Sequence, residues 1–479
     1  MGLLDELNDK QYDAVVNTEG PCLVIAGAGS GKTKVLTHKI AYLIDEKNVK
    51  PWNILAITFT NKAANEMKDR VEKLVGDIAK DMWIGTFHAI CVRILRKFID
   101  RLGFDSSFVI FDTSDQKTMV KQILKSQDLD DKIFTDKSVL YEISNAKNEM
   151  LDPAAYAVRA NGDFRKEKIA DIYRIYQKRL KENNAIDFDD IINFTIQILM
   201  DNPDILEYYT EKFRYVLVDE YQDTNEAQYI LTKLISSKYR TITCVGDDSQ
   251  SIYSFRGANY KNILNFEKDY PDAKSILLEQ NYRSTQTILN AANEVIKNNK
   301  ARKDKNLWTA NGEGEKIKYY RAYNERDEAQ YVIRKVKELI VRGASYQDIA
   351  VLYRTNAQSR ILEEEMLKEN LPYRVVGSFY FYSRKEIKDL IAYLRLIHNP
   401  KDNVSLLRVI NTPKRGIGLK TIENLTIKAD NEDKSIYDVI DSGKELAFKE
   451  IIEKLRAIKD DLTLTELIDK VLDASLMRQ

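Results

Sequence analysis

The sequence predicts an α/β protein in which parallel sheets are interrupted by all-helical insertions. Two observations carry this reading. Short β-rich runs alternate with helical patterns over the first ninety residues, and the alternation returns after residue 210 and again after 315. Between and beyond these stretches, at 91–189 and from 386 onwards, the apolar spacing is almost purely helical. Strands alternating with helices imply a parallel sheet covered on both faces.

In order, PCLVIAG (21–27), NILAITF (53–59) and DMWIGTF (81–87) read as strands, with VLTHKIAYLIDE and KAANEMKDRVEKLV between them at helical spacing. A helical stretch follows, typified by KIADIYRIYQKRLKEN, with no convincing strand. RYVLVDE (214–220), RTITCVGD (240–247) and AKSILLEQ (273–280) then return to strand. A second α/β stretch is predicted from EKIKYYRAYN (315–324) as strand, DEAQYVIRKVKELIVRG as helix, and DIAVLYRT (348–355) and PYRVVG (372–377) as strands. The last segment, TLTELIDKVLDASLMRQ, is an amphipathic helix. The boundaries this implies are 1–90 and 190–278 for one α/β unit, 91–189 for its insertion, 279–385 for a second unit and 386–479 for a second insertion.

A chain of 479 residues is too long for one core, since single cores stop growing near ~250–300 residues. No apolar run reaches the ~20 residues of a membrane span, so no membrane association is expected. Cys22, Cys91 and Cys244 are far apart and odd in number, which supports neither a disulfide framework nor a zinc cluster. A reducing, cytoplasmic setting fits this usage. Lys plus Arg and Asp plus Glu are both 74, so the chain carries no bulk basic signature for nucleic acid. A local basic groove on a neutral protein remains compatible with that balance.

The chemistry begins after the first strand, in Gly27-Ala28-Gly29-Ser30-Gly31-Lys32-Thr33 followed by a helical run. Glycines let successive backbone N–H groups turn onto phosphate oxygens, and the helix N-terminus adds positive potential. Lys32 would reach the β- and γ-phosphates, and the Thr33 hydroxyl would ligate Mg²⁺. The second half of such a site is Val216-Leu217-Val218-Asp219-Glu220, an apolar strand ending in two carboxylates. Asp219 is the candidate metal ligand and Glu220 the candidate general base. Asn61-Lys62-Ala63-Ala64 lacks the Asp of a guanine reader, and the kinase signatures are absent, so ATP is the favoured nucleotide.

Beyond these residues, the chain resembles the UvrD/PcrA/Rep group of superfamily 1 DNA helicases. The matching segments are Leu7-Asn8-Asp9-Lys10-Gln11, AGAGSGKT (26–33), AITFTNKAANEM (56–67), GTFHAI (85–90), DFDD (187–190), VDEYQDTN (218–225), VGDDSQSIYSFRGA (245–258), LEQNYRS (278–284), VLYRTNAQSR (351–360) and FYSRKEIKDLIAYLRL (381–396). Their order and spacing run through the whole chain.

The resemblance implies a P-loop NTPase with tandem RecA-like domains, the second incomplete, and inserted helical subdomains. Gln11 would read the adenine edge and Tyr282 would stack near the base, beside a phosphate site formed by Ala28, Gly29, Ser30, Gly31, Lys32 and Thr33. Gln250 would sit near the γ-phosphate, and Arg283 would act as an arginine finger. Phe59, Phe188, Tyr253 and Phe255 would form stacking pockets for single-stranded DNA, with Arg256, Arg354 and Asn356 as polar contacts. The family frequently has Trp where this chain has Phe255.

The implied activity is ATP-dependent 3′–5′ translocation and unwinding at single-strand/duplex junctions, in DNA repair or replication. Two family segments, T-x-H-x-x-K-G-L-E and the arginine-bearing V-x-x-T-R-A, do not occur in these residues. The chain is therefore expected to be part of a longer protein, binding ATP but hydrolysing and unwinding poorly. Two alternatives share its motifs: an ATP- and DNA-binding module with little turnover, and a subunit of a RecB/AddA-like helicase–nuclease.

Overall fold

The computed structural model describes residues 2–478 apart from 131, 301, 377–383 and 433, and the side chain of Arg256 also falls outside the described set. Its centre is a six-stranded, all-parallel sheet. Among the described residues ten strands occur in chain order: β1 Cys22–Ala26, β2 Ile54–Thr58, β3 Trp83–Thr86, β4 Val109–Ile110, β5 Ala185–Ile186, β6 Tyr215–Val218, β7 Ile242–Gly246, β8 Lys274–Leu278, β9 Gln280–Asn281 and β10 Trp308–Thr309. The large sheet has the order β3-β2-β6-β7-β1-β8.

Each of its strands reads as a near-continuous apolar run because both faces are covered. Leu23, Ile25, Leu55, Ile57, Val216 and Val218 point into one core with the helices Phe87–Phe98, Phe188–Asp201 and Glu226–Ile235. Cys22, Val24, Ala26, Ile54, Ala56 and Leu217 point into the other, against the helices Asp9–Val16, Lys32–Asp45 and Asn61–Val75. All six strands predicted on either side of the first insertion are present. Thr60 and Thr86 start the helices after β2 and β3 by accepting backbone N–H bonds from Ala63 and Ala89.

The interposed stretch is mostly helical with its own core around Phe111, Ile123, Ile143, Tyr173 and Tyr176. One correction applies here: β4 and β5 form a two-residue parallel pair where no strand was expected. Two residues are too few to show a period.

A larger correction concerns the second α/β stretch. The helix Glu325–Val341 forms, but among the described residues 315–324, 348–355 and 372–376 make no ladder. The segment 372–377 runs into the undescribed residues. Tyr319, Tyr323, Leu352 and Val376 are exposed, and a small apolar cluster gathers around Ile333, Val336 and Met366. Strand propensity expresses itself through pairing and burial, and among the described residues these segments are unpaired and largely exposed.

From Lys385 the chain is helical with a core around Tyr393, Leu396, Ile410 and Phe448. Residues 381–383 of the FYSRKEIKDLIAYLRL segment lie outside the described set. This second helical unit docks on the first through polar contacts: Arg395 Nη1 to Asp115 at 2.6 Å, Lys388 Nζ to Ser114 at 2.7 Å, and Asn399 Nδ2 to the Asn183 carbonyl at 2.9 Å. No helix among the described residues is long and apolar enough to cross a membrane.

Candidate functional site: a nucleotide pocket and an aromatic edge

The candidate site lies at the carboxyl ends of the parallel strands, where connections open away from the sheet. The loop after β1 turns through Gly29 at φ +66° and Gly31 at φ +89°, which caps the helix Lys32–Asp45. Side chains are excluded at both positions, since a Cβ on Gly29 would lie 2.6 Å from Asn281 Nδ2 and one on Gly31 2.7 Å from Gln11 Nε2. Ala26 stands where a strict phosphate-loop pattern begins with glycine. As the last residue of β1 it is extended and needs no glycine conformation. Ser30 Oγ donates to the Gly27 carbonyl at 2.7 Å and closes the loop.

Asp219 and Glu220 follow β6 directly. Asp219 is buried, and burial, reinforced by the Glu220 charge, pushes its carboxyl up to about 7. Glu220 adopts φ +50°, a conformation uncommon for a non-glycine residue and concentrated at functional sites. That twist brings Glu220 Oε2 to 3.3 Å from Lys32 Nζ. Thr33 lies in the first turn of the same helix as Lys32. Asp223 is likewise raised, to about 6, by burial and by Glu220.

These residues fit a nucleotide with Mg²⁺. Glycine N–H groups, a lysine and a helix start would face phosphate, and the buried Asp223 Oδ1 and Ser249 Oγ have no hydrogen-bond partner among the described residues. Among the described residues no three His, Cys, Asp or Glu gather into a metal cage. Mg²⁺ needs none, since it uses one or two carboxylates together with phosphate oxygens and water.

Two further residues extend the pocket. Gln222 is buried, takes its place between Glu220 and β7, and donates Nε2 to Glu220 Oε2 at 2.9 Å. Its Oε1 accepts the Asp247 N–H at 2.9 Å. Gln250 Nε2 then donates to Asp247 Oδ2 at 2.6 Å. A polar chain thus joins Lys32, Glu220, Gln222, Asp247 and Gln250. Gln222 escaped the sequence reading although it sits in VDEYQDTN, because an amide carries no charge signal of its own.

The segment around β9 covers the loop. Tyr282 N–H donates to the Gly29 carbonyl at 2.9 Å, and Asn281 Nδ2 donates to the Ala28 carbonyl. Arg283 Cβ packs beside Gly29 while the side chain reaches solvent. Asn8 Nδ2 donates to the Tyr282 hydroxyl at 2.6 Å, so Tyr282 stands beside the Asn8–Gln11 capping box. Gln11 itself is buried, with Oε1 accepting the Asn8 N–H and Nε2 donating to the Ser30 carbonyl at 2.9 Å. In this structure its amide ties the cap of the first helix to the phosphate loop.

The aromatic candidates divide. Phe188 is 51% exposed and stands against His88 with ring centroids 5.4 Å apart. Tyr253 and Phe255, also exposed, lie 6.0 Å apart on the connection that carries Gln250. Phe59 is half-buried and packs edge-on against Phe87 at 5.6 Å, which makes it partly core. Arg354 and Asn356 are exposed around the short 3₁₀ turn Asn356–Gln358 of the second α/β stretch.

Phe188 has a support that sequence reading missed. It opens the helix Phe188–Asp201, whose cap Asp187 and third residue Asp190 both pair with the buried Lys147, at 2.6 and 2.8 Å. Burial works against the Asp187 charge, yet Lys147 holds that carboxyl below its usual range. Burial and the neighbouring Asp187 push Asp190 up to about 7. The next residue, Asn148, accepts from Asn225 Nδ2 at 2.5 Å. The helical insertion is thereby fastened both to the Phe188 turn and to the helix after Asp223.

Comparison with known proteins agrees with this geometry. Residues 7–271 match the UvrD/REP helicase N-terminal domain and residues 276–476 the UvrD-like helicase C-terminal domain. The chain is 52% identical over 488 residues to the ATP-dependent DNA helicase PcrA of Staphylococcus aureus, covering 100% of this chain and 67% of that protein. The PcrA of Staphylococcus epidermidis is 52% identical over 484 residues, covering 99% and 66%. The chain therefore spans about two thirds of the length of these relatives. With a phosphate loop, an Asp-Glu strand end and an aromatic edge on one parallel sheet, it belongs to the UvrD/Rep family of ATP-dependent DNA helicases.

Proposed function

We propose that this protein couples ATP hydrolysis to 3′–5′ movement along single-stranded DNA and opens single-strand/duplex junctions, in DNA repair or replication inside the cytoplasm. One observation supports the coupling above all. The connection after β7 carries Gln250, tied through Asp247 and Gln222 to Glu220, and a few residues on carries Tyr253 and Phe255. A change at the terminal phosphate thus has a short covalent and hydrogen-bonded route to the DNA-facing rings.

The proposed roles are these. Lys32 pairs with the β- and γ-phosphate oxygens, leaving Glu220, which orients and deprotonates the attacking water. Thr33 and Asp219 would hold Mg²⁺, whose charge would offset that of the phosphate oxygens. Arg283, whose backbone lies beside the loop, would turn its guanidinium in from solvent onto the phosphate; such an arginine contributes ~10³–10⁵ in rate. Tyr282 borders the base, with Gln11 behind it. Phe188, Tyr253 and Phe255, with Phe59 at their rear and Arg256, Arg354 and Asn356 along the strand, hold successive bases and phosphates. Stacking contributes about 1–3 kcal/mol per base and tolerates every sequence. The proposed units are 1–90 with 190–278, the insertion 91–189, and 279–385 with its insertion 386–479.

The test is ATP turnover with and without single-stranded DNA, beside strand displacement from 3′- and 5′-tailed duplexes. DNA-stimulated turnover abolished by Lys32→Ala, with displacement from the 3′ tail alone, supports the reading. Turnover indifferent to DNA, or displacement from the 5′ tail, overturns it.

A further inference from the structure

The charged run Arg302–Lys305 looks from its sequence like a solvated surface, yet Lys305 is only 8% exposed. Its ammonium pairs with Asp247 and with Asp248, two adjacent carboxylates that are themselves buried. The Lys303 N–H adds a bond to Asp248 Oδ2 at 2.6 Å. Burying three charges is costly, and an apolar trio would often be at least as stable, so the arrangement calls for a reason beyond stability.

That reason lies in what Asp247 touches. Its Oδ2 accepts Gln250 Nε2 at 2.6 Å and its Oδ1 accepts the Ser249 N–H at 3.1 Å. A carboxylate in that place fixes which end of the Gln250 amide turns inward and which faces the pocket. Two neighbouring buried carboxylates without a cation would repel. Lys305 bridges them, holds Asp247 in place and so keeps Gln250 in one orientation.

The same short strap reaches the rest of the pocket. The Leu307 side chain lies over Gly27, where a Cβ would come within 2.1 Å of it. The Asn306 N–H donates to Glu279 Oε1 at 2.7 Å, and β10 pairs with β9, whose Asn281 accepts the Arg283 N–H at 2.8 Å. Lys305 therefore arrives on the segment that pairs with the strand leading to Arg283.

We infer that Lys305 is a positioning residue for the terminal phosphate of the nucleotide, acting through Asp247 on the Gln250 amide. The inference rests on the reading of Gln250 as the group beside the γ-phosphate.

The experiment measures equilibrium binding of ADP and of a non-hydrolysable β,γ-imido ATP analogue to the whole chain. It uses the wild type, Lys305→Met, Gln250→Ala and the double variant. Lys305→Met loses about tenfold in analogue affinity and keeps its ADP affinity. Gln250→Ala does the same, and the double variant falls no more than about twofold below either single one, because both remove one interaction.

Because Lys305→Met strands two carboxylates, Lys305→Met with Asp248→Asn is run beside it and must show the same pattern. Additive losses, an equal loss of ADP affinity in both Lys305 variants, or an effect of Gln250→Ala unmatched by either overturns the role of Lys305. A wild type that does not distinguish analogue from ADP, or a silent Gln250→Ala, overturns the Gln250 reading and the inference with it.

Discussion

Lys32 Nζ lies 3.3 Å from Glu220 Oε2, a pair whose lysine is almost wholly buried and whose glutamate is only partly so. Each charge holds the other until phosphate arrives. Under the proposed function, phosphate oxygens would compete for Lys32, and the carboxylate they displace would be the group proposed to activate water. Glu220→Gln is expected to lower ATP turnover by about 10²–10⁴ while nucleotide binding persists. Lys32→Ala is expected to lose the binding itself. Equilibrium nucleotide titration beside turnover separates the two, and loss of binding in Glu220→Gln would contradict the assignment.

Gly246 ends β7 where Gln222 crosses towards Asp247. A Cβ there would lie 2.6 Å from Gln222 Oε1 and 2.9 Å from Ile263 Cδ1. Gly246→Ala is expected to cost about 1–3 kcal/mol by overpacking and to slow turnover by breaking the Glu220–Gln222–Asp247 chain. Thermal melting and turnover on the same sample check this; an unshifted melt would show that the strand end has slack.

Phe188 is half out of the protein, yet its helix start is clamped by Lys147. Phe188→Ala should leave the melting temperature nearly unchanged and weaken single-stranded DNA binding by about 1–3 kcal/mol. Lys147→Met should instead destabilise the fold by about 3–5 kcal/mol, because it leaves two carboxylates buried without a cation. Fluorescence anisotropy with labelled oligonucleotide reads the first, and denaturant unfolding the second.

Asp402 is fully buried at the start of the helix Asn403–Val409, and burial pushes its carboxyl up to about 6 from 3.8. Two Ser405 bonds and Arg395 oppose that rise, and Asp115 adds to it. A folded value above the unfolded one means that the stabilisation is complete below about 4 and lost as pH climbs through about 6. Asn caps helices as well as Asp does. Asp402→Asn is therefore expected to melt higher than wild type at pH 7–8, by up to about 3 kcal/mol, with the gain vanishing near pH 4. Melting curves across that range decide it.

What the sequence determined by itself was local. A glycine-rich turn ending in Lys32-Thr33, apolar runs closing on Asp219-Glu220, and threonines ahead of helical spacing all express backbone geometry over a few residues. For that reason the six strands of the large sheet, and the residues of the phosphate loop, are legible in the amino-acid order alone. Tertiary structure alone decided the rest. Strand pairing is non-local, so β-rich composition at 315–324 and 348–355 did not reveal that those segments form no ladder among the described residues. Burial of charge is non-local too. Lys305 meets carboxylates 57 and 58 residues away, and Lys147 meets Asp187 40 residues away. In one dimension both are ordinary surface lysines; only the packing that removes water from around them turns them into clamps on the site.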